Sequence, residues 1–290
     1  MAAQDSHAVS VDLLVRVLNG GAVATAARVH GLSASAADQR IKRLARHLQA
    51  TVGVERVAEH TAPNPRQMRA HRAEYLEALQ HYDPARPGGE AIATEGDLHL
   101  ALERIALSSR QPERDAALIL LLFGTGLQPA ELMRLEVRDY LGADGRIRLV
   151  SSVRAELASD GRCRPLYFTN PRATAAVDRY LGLRSRSATS RPFCPYRGLV
   201  ASSPLLLARP EPAPTPFTAR TFYDTLRRIL RFTGKPGLST RSVRRYVANR
   251  LMALGADEGE IRRTLGLRNR ASLKELLIRT EIGAAVRKLV

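Results

Sequence analysis

Arginine is the residue type in this chain with the most chemistry to offer. Of 45 basic residues in 290, only Lys42, Lys235, Lys274 and Lys288 are lysines. A guanidinium fork donates to two oxygens of one phosphate at once and keeps its charge at any physiological pH. Arg220, Arg227, Arg228, Arg231, Arg241, Arg244, Arg245, Arg262, Arg263, Arg268 and Arg270 crowd the last quarter, so that stretch is expected to hold a polyanion. A second, smaller set is Ala34, Ser35, Asp38, Gln39, Lys42 and Arg43.

Charge is distributed to match. The formal net charge is +17, yet residues 1–90 hold 11 basic and 9 acidic residues, a net of only +2. Residues 91–290 hold 34 and 19, and within them 218–290 hold 17 and 6. Clustering of this kind points to a surface that tracks phosphates.

Composition excludes several classes. The longest apolar run, Ala116–Phe123, is far short of the roughly 20 residues a membrane helix needs. The first residues lack a basic-then-apolar export pattern, so a cytoplasmic, nucleoid-associated protein is expected. Cys163 and Cys194 are the only cysteines; they suggest neither a disulfide framework nor a metal site, and no cofactor is expected. Tryptophan is absent and aromatics make up 5%, which disfavours stacking on single strands.

The elements that must position these residues follow from periodicity and punctuation. Helices are expected at 9–19, 22–30, 34–48, 66–82, 95–108, 113–123, 129–139, 171–183, 218–232, 241–254, 257–265 and 270–278. Strands are expected at 146–153 and 162–168 around the turn Ser159-Asp160-Gly161. The fold class is therefore mainly α with a small antiparallel β-sheet. Asp83-Pro84-Ala85-Arg86-Pro87-Gly88-Gly89 cannot continue a helix, which divides the chain into 1–82, a linker at 83–92, and 93–290. Pro204–Pro216 reads as an extended loop.

The first module places Leu13, Leu14, Val17 and Leu18 on one helical face. The small helix Ala22–Val29 follows, then Gly31 for a left-handed turn and Ser33 as a cap. Ser33–Leu48 turns Ala37, Ile41, Leu44 and Leu48 inward and a polar face outward, an arrangement that fits a major groove. The stretch Gly21–Ser33 followed by Ile41-Lys42-Arg43-Leu44 resembles the winged helix-turn-helix of LysR-type regulators. The resemblance implies a wing at Val52–Val57 and a linker helix at Arg66–Tyr82 that forms a homodimer. It also implies that Ala34, Ser35, Asp38, Gln39, Lys42 and Arg43 face DNA, with Gln39 placed to read adenine and Lys42 and Arg43 to hold phosphate.

In the second module, Gly124-Thr125-Gly126-Leu127-Gln128-Pro129-Ala130-Glu131-Leu132-Met133-Arg134-Leu135 resembles a signature of tyrosine recombinases, the phage integrase family. A hairpin at Arg146–Phe168, a helix at Thr218–Phe232, the segment Arg241–Ala248 and Leu265-Gly266-Leu267 follow in that family's order. The family cuts DNA with a tyrosine nucleophile. Two arginines with a histidine or tryptophan neutralise the transition state, a lysine protonates the leaving oxygen, and a second histidine moves a proton. Carried onto this chain, those positions are Gln128, Asp160, Arg241, Arg244, Leu267 and about Leu276, of which only Arg244 keeps its type. All seven histidines lie within the first 99 residues, and Tyr246 is the last tyrosine. The resemblance thus implies a fold that binds DNA and lacks the catalytic set.

The reading expected from these observations is a non-catalytic, sequence-specific double-stranded DNA-binding protein. Transcriptional control of a mobile element would be its role. Two alternatives are an accessory subunit that partners an active tyrosine recombinase, and a strand-transferase with unusual chemistry.

Overall fold

The computed structural model describes residues 2–51, 54, 57, 63–80, 92–185, 195–210, 213–235, 237–267, 269–274 and 276–277. The chain forms two units, Met1–Glu90 and Ala91–Val290. The linker expected at 83–92 lies almost wholly outside the described residues, as does most of the wing expected at Val52–Val57.

In the first unit, helices α1 (Ala2–Leu18), α2 (Val23–Val29) and α3 (Ala34–Thr51) close around one apolar centre. Helix α1 begins seven residues earlier than its apolar periodicity suggested. The turn between α2 and α3 is built as its residues dictate. Gly31 sits at φ +64, and Ser33 Oγ accepts from the Ala36 amide at 3.1 Å. Leu13, Leu14, Ala37, Ile41 and Leu48 are completely buried.

The helix expected at 66–82 is two helices. Helix α4 (Pro65–Ala70) ends at His71, and α5 (Arg72–Gln80) restarts immediately. The break lets both fold back on the same unit. Met68 and Tyr75 are fully buried against α1–α3. Arg69 donates to the Val17 and Gly21 carbonyls at 3.0 and 2.9 Å. Buried Gln49 donates to the Tyr75 hydroxyl at 2.8 Å, and burial pushes the Tyr75 phenol up to about 12. Met68 and Tyr75 thus complete the core of their own unit.

The second unit is organised on α7 (Pro112–Thr125), a helix whose stretch from Ala117 to Phe123 is buried on every side. Helix α6 (Glu95–Ser108) and α10 (Pro171–Ser185) pack against it, as do α11 (Ala219–Arg231) and α12 (Thr240–Ala253). The helix expected at 129–139 is interrupted into α8 (Pro129–Arg134) and α9 (Val137–Tyr140). Its backbone turns aside at Leu135 because the segment 201–205 takes the freed groups. The Leu135 carbonyl accepts from the Leu205 amide at 2.6 Å, and the Val137 amide donates to Ser203 at 2.9 Å.

Strands β1 (Val150–Val153) and β2 (Arg164–Tyr167) pair antiparallel, from Val150 opposite Tyr167 to Val153 opposite Arg164. They are shorter than expected because residues 146–148 pair back with 140–142, and because the loop between the strands is held by Arg134 and Glu131. The expected extended loop at Pro204–Pro216 contains a second small pair, β3 (Leu207–Arg209) with β4 (Thr215–Pro216). The last helix assigned in full is α13 (Glu258–Leu265), ended by Gly266 at φ +64. The chain is mainly helical with small antiparallel sheets, as expected from its sequence.

Candidate DNA interface and its buried centre

The segment that opens α8 sets up the centre of the second unit. Gly126, at φ +64, ends α7. Pro129 starts α8, where its missing amide hydrogen costs little. Glu131 reaches back so that one carboxylate oxygen accepts from the Gln128 amide at 3.0 Å. The same carboxylate is 1% exposed and needs a counter-charge, since an unpaired ion there would be prohibitively desolvated. Arg164, last residue of the β1–β2 pairing, supplies it bidentately, with Nη1 and Nη2 at 2.9 and 2.5 Å from the two oxygens. The Ser159 amide adds a fourth contact at 3.1 Å. Burial alone would raise the Glu131 carboxyl, but the Arg164 fork, the Gln128 amide and the charge of Arg244 outweigh it and hold it below the ordinary 4.5.

Two guanidiniums converge on the C-terminal end of α13. Arg164 Nε donates to the Thr264 carbonyl at 3.3 Å, and Arg244 Nη2 to the Leu265 carbonyl at 2.6 Å. Arg244 Nε also donates to the Gly126 carbonyl at 3.1 Å. Cations at a helix C-terminus are favoured by the helix dipole. Gly266 permits the approach: a Cβ there would stand 2.9 Å from Arg164 Cζ.

The six positions onto which catalysis was carried have different surroundings. Gln128 and Arg244 are buried at this centre, Arg244 with 3% exposure. Asp160 is a turn residue whose carboxylate accepts from the Arg162 amide at 3.1 Å. Arg241 is half-buried. Leu267 and Leu276 belong to an apolar cluster with Val247, Ala248, Ile261, Leu265 and Leu273.

Among the expected groove arginines, Arg220, Arg231 and Arg270 are exposed, although Arg270 stands 3.3 Å from Glu258. Arg227 lies 3.4 Å from Asp224. Arg228 reaches the fully buried Asp115 at 2.6 Å. Arg268 lies outside the described residues. Two of the expected groove arginines are buried. Arg245 is 1% exposed, and its Nε donates to the Leu276 carbonyl, so it belongs to the core. Arg244 is 3% exposed and donates to the Gly126 and Leu265 carbonyls. A guanidinium on an otherwise apolar helix face binds whatever carbonyls packing leaves unpaired, and both sites offer them.

In the first unit, Ala34, Ser35, Gln39 and Arg43 are exposed along α3, with Asp38 and Lys42 half-buried beside them. These six share one side of the helix, as expected. The sequence reading missed the Glu131–Arg164 pair. One signal was available: a glutamate two residues past Pro129, inside an apolar helix start, must find a cation once buried.

Among the described residues no helix is long and apolar enough to cross a membrane, and no cluster of side chains could hold a metal ion. The phage integrase family matches residues 97–275. No curated protein matches the chain. Similar solved structures include an XerA recombinase, 17% identical over 83% of this chain and 82% of that one, with a TM-score of 0.44. They also include a Tn1549 transposon integrase in complex with transposon right end DNA, 18% identical over 76% and 78%, at 0.45. The same integrase with circular intermediate DNA is 18% identical over 73% of each chain, at 0.43.

Proposed function

The chain belongs to the phage integrase family, and from that premise we propose that it binds duplex DNA sequence-specifically without cutting it. The LysR-like helix-turn-helix of the first unit chooses the sequence. The integrase-type domain of the second supplies affinity through its surplus of arginine. Two weak readers on one chain raise each other's effective concentration, so a long bipartite site is expected, with transcriptional control as the role.

One observation carries the non-catalytic reading. The arginines at the centre of the second unit are engaged by Glu131 and by backbone carbonyls. The position counted as the nucleophile is Leu276, inside an apolar cluster. Preorganised charge aimed at the developing transition state is usually the largest catalytic contribution, and here that charge is turned inward.

The experiment is a pair of gels with the full chain. It should shift a fragment of its own upstream region at low salt, and a nicked suicide duplex should yield no covalent adduct on a denaturing gel. An adduct would show it to be a strand-transferase. Family membership itself favours a second role, as an accessory subunit to an active tyrosine recombinase. That role predicts a change in the recombinase's excision or integration when this protein is added.

A further inference from the structure

Helix α3 carries a pair of opposite charges within its exposed side. Asp38 and Lys42 lie one turn apart, with Lys42 Nζ 2.7 Å from Asp38 Oδ2 and the side chains 35% and 32% exposed for Lys42 and Asp38. Ser35, Gln39 and Arg43 flank them and are exposed. A bare carboxylate on a surface that meets phosphates is repelled, so it needs a neutralising group on the protein and a donor on the partner. Lys42 is the first. The second is available in the major groove.

In a C·G pair the cytosine N4 amino group donates, guanine O6 beside it accepts, and guanine N7 beyond accepts again. The Asp38–Lys42 pair offers the complementary order, acceptor then donor, at the spacing of one hydrogen bond. An A·T pair also sets a donor beside an acceptor. Beyond that acceptor, however, stands the thymine methyl, which gives an ammonium nothing.

We propose that Asp38 and Lys42 act together as the reader of one C·G base pair, Asp38 accepting from cytosine N4 and Lys42 donating to guanine O6 and N7. This rests on the reading of α3 as the helix that enters the groove. It moves Lys42 from the phosphate role expected of it to a base-reading one. An ion pair that only supports the helix tolerates exchange of its two ends, whereas a base-pair reader does not.

The test selects bound duplexes from a random library with the full chain at fixed salt. It compares the natural protein, Asp38→Asn, and the exchange variant Asp38→Lys with Lys42→Asp, each checked for helix content by circular dichroism. The natural protein should enrich one invariant C·G position. Asp38→Asn should lower that preference by about tenfold and leave the other positions unchanged. The exchange variant should lose the C·G position or prefer G·C there. An exchange variant that keeps the same C·G position overturns the proposal, and so does a natural consensus without one. If the exchange variant does not fold, an undiminished preference in Asp38→Asn overturns it. If the natural protein shifts no duplex at all, the DNA-binding reading fails and takes the proposal with it.

Discussion

Glu131 shows how a single residue can organise a site without touching any ligand. Its carboxylate takes both ends of the Arg164 fork together with the Gln128 and Ser159 amides. Breaking one partner of a buried pair leaves the other charge uncompensated. Glu131→Gln is therefore expected to cost about 3–5 kcal/mol in urea unfolding. The same pair fixes a pH dependence. Folding holds the Glu131 carboxyl below its ordinary 4.5, so its charged form stabilises the native state fully above that value. That stability is lost as pH falls through 4.5 toward the folded pKa. The gap between the natural protein and Glu131→Gln should thus narrow as pH falls below 4.5; parallel stability curves would show that the carboxylate contributes nothing through its charge. Position 128 was legible as a residue that departs from its signature. The partnership of Glu131 with Arg164 was not, because the two are 33 residues apart and no periodicity links a helix start to a strand end.

At the scale of elements, the ends of α13 and α7 do more than stop helices. Gly266 and Gly126 each bring a carbonyl-rich terminus against an arginine, and both sit at φ +64. Gly255 also has a positive φ, +89, but a Cβ there would meet nothing within 4 Å. The two can be compared directly. Gly255→Ala should show backbone strain alone, about 1–2 kcal/mol. Gly266→Ala adds a Cβ 2.9 Å from Arg164 Cζ and should shift the denaturant midpoint further. Equal shifts would mean that Arg164 moves away freely and that the close approach is incidental. Helix positions were readable because apolar spacing and caps are local signals. The splits at His71 and Leu135 were not, since each exists to satisfy a distant segment: the first unit's core for one, residues 201–205 for the other.

For the whole molecule the question is which basic residues reach the surface. Residues 91–290 hold 34 basic against 19 acidic residues, but the structure withdraws some of the basic ones. Arg164, Arg244 and Arg245 are buried, and Arg228 is paired with Asp115. Arg220 and Arg231 remain exposed on α11. If both hold phosphates, the double change Arg220→Ala with Arg231→Ala should weaken binding on all duplex sequences alike. It should also flatten the plot of log affinity against log salt by roughly two units. Arg245→Ala is expected to act differently, lowering stability while leaving that slope unchanged in the folded fraction. A slope untouched by the exposed pair would move the phosphate-tracking surface elsewhere on the unit.

The sequence by itself determined the helical class, the turn at Gly31 and the outward side of α3. It also determined the ordered motifs that mark an integrase-type domain. Each of these rests on short-range spacing, capping or composition, which a chain carries whatever it packs against. Only the tertiary structure decided which arginines face outward. A guanidinium looks the same in sequence whether it meets solvent, a carbonyl or a carboxylate; its role is set by what folding brings within about 3 Å of it. The abundance of arginine that first suggested phosphate therefore divides in two, part of it engaged by carboxylates such as Glu131 and Asp115 and by backbone carbonyls, part of it exposed at the surface.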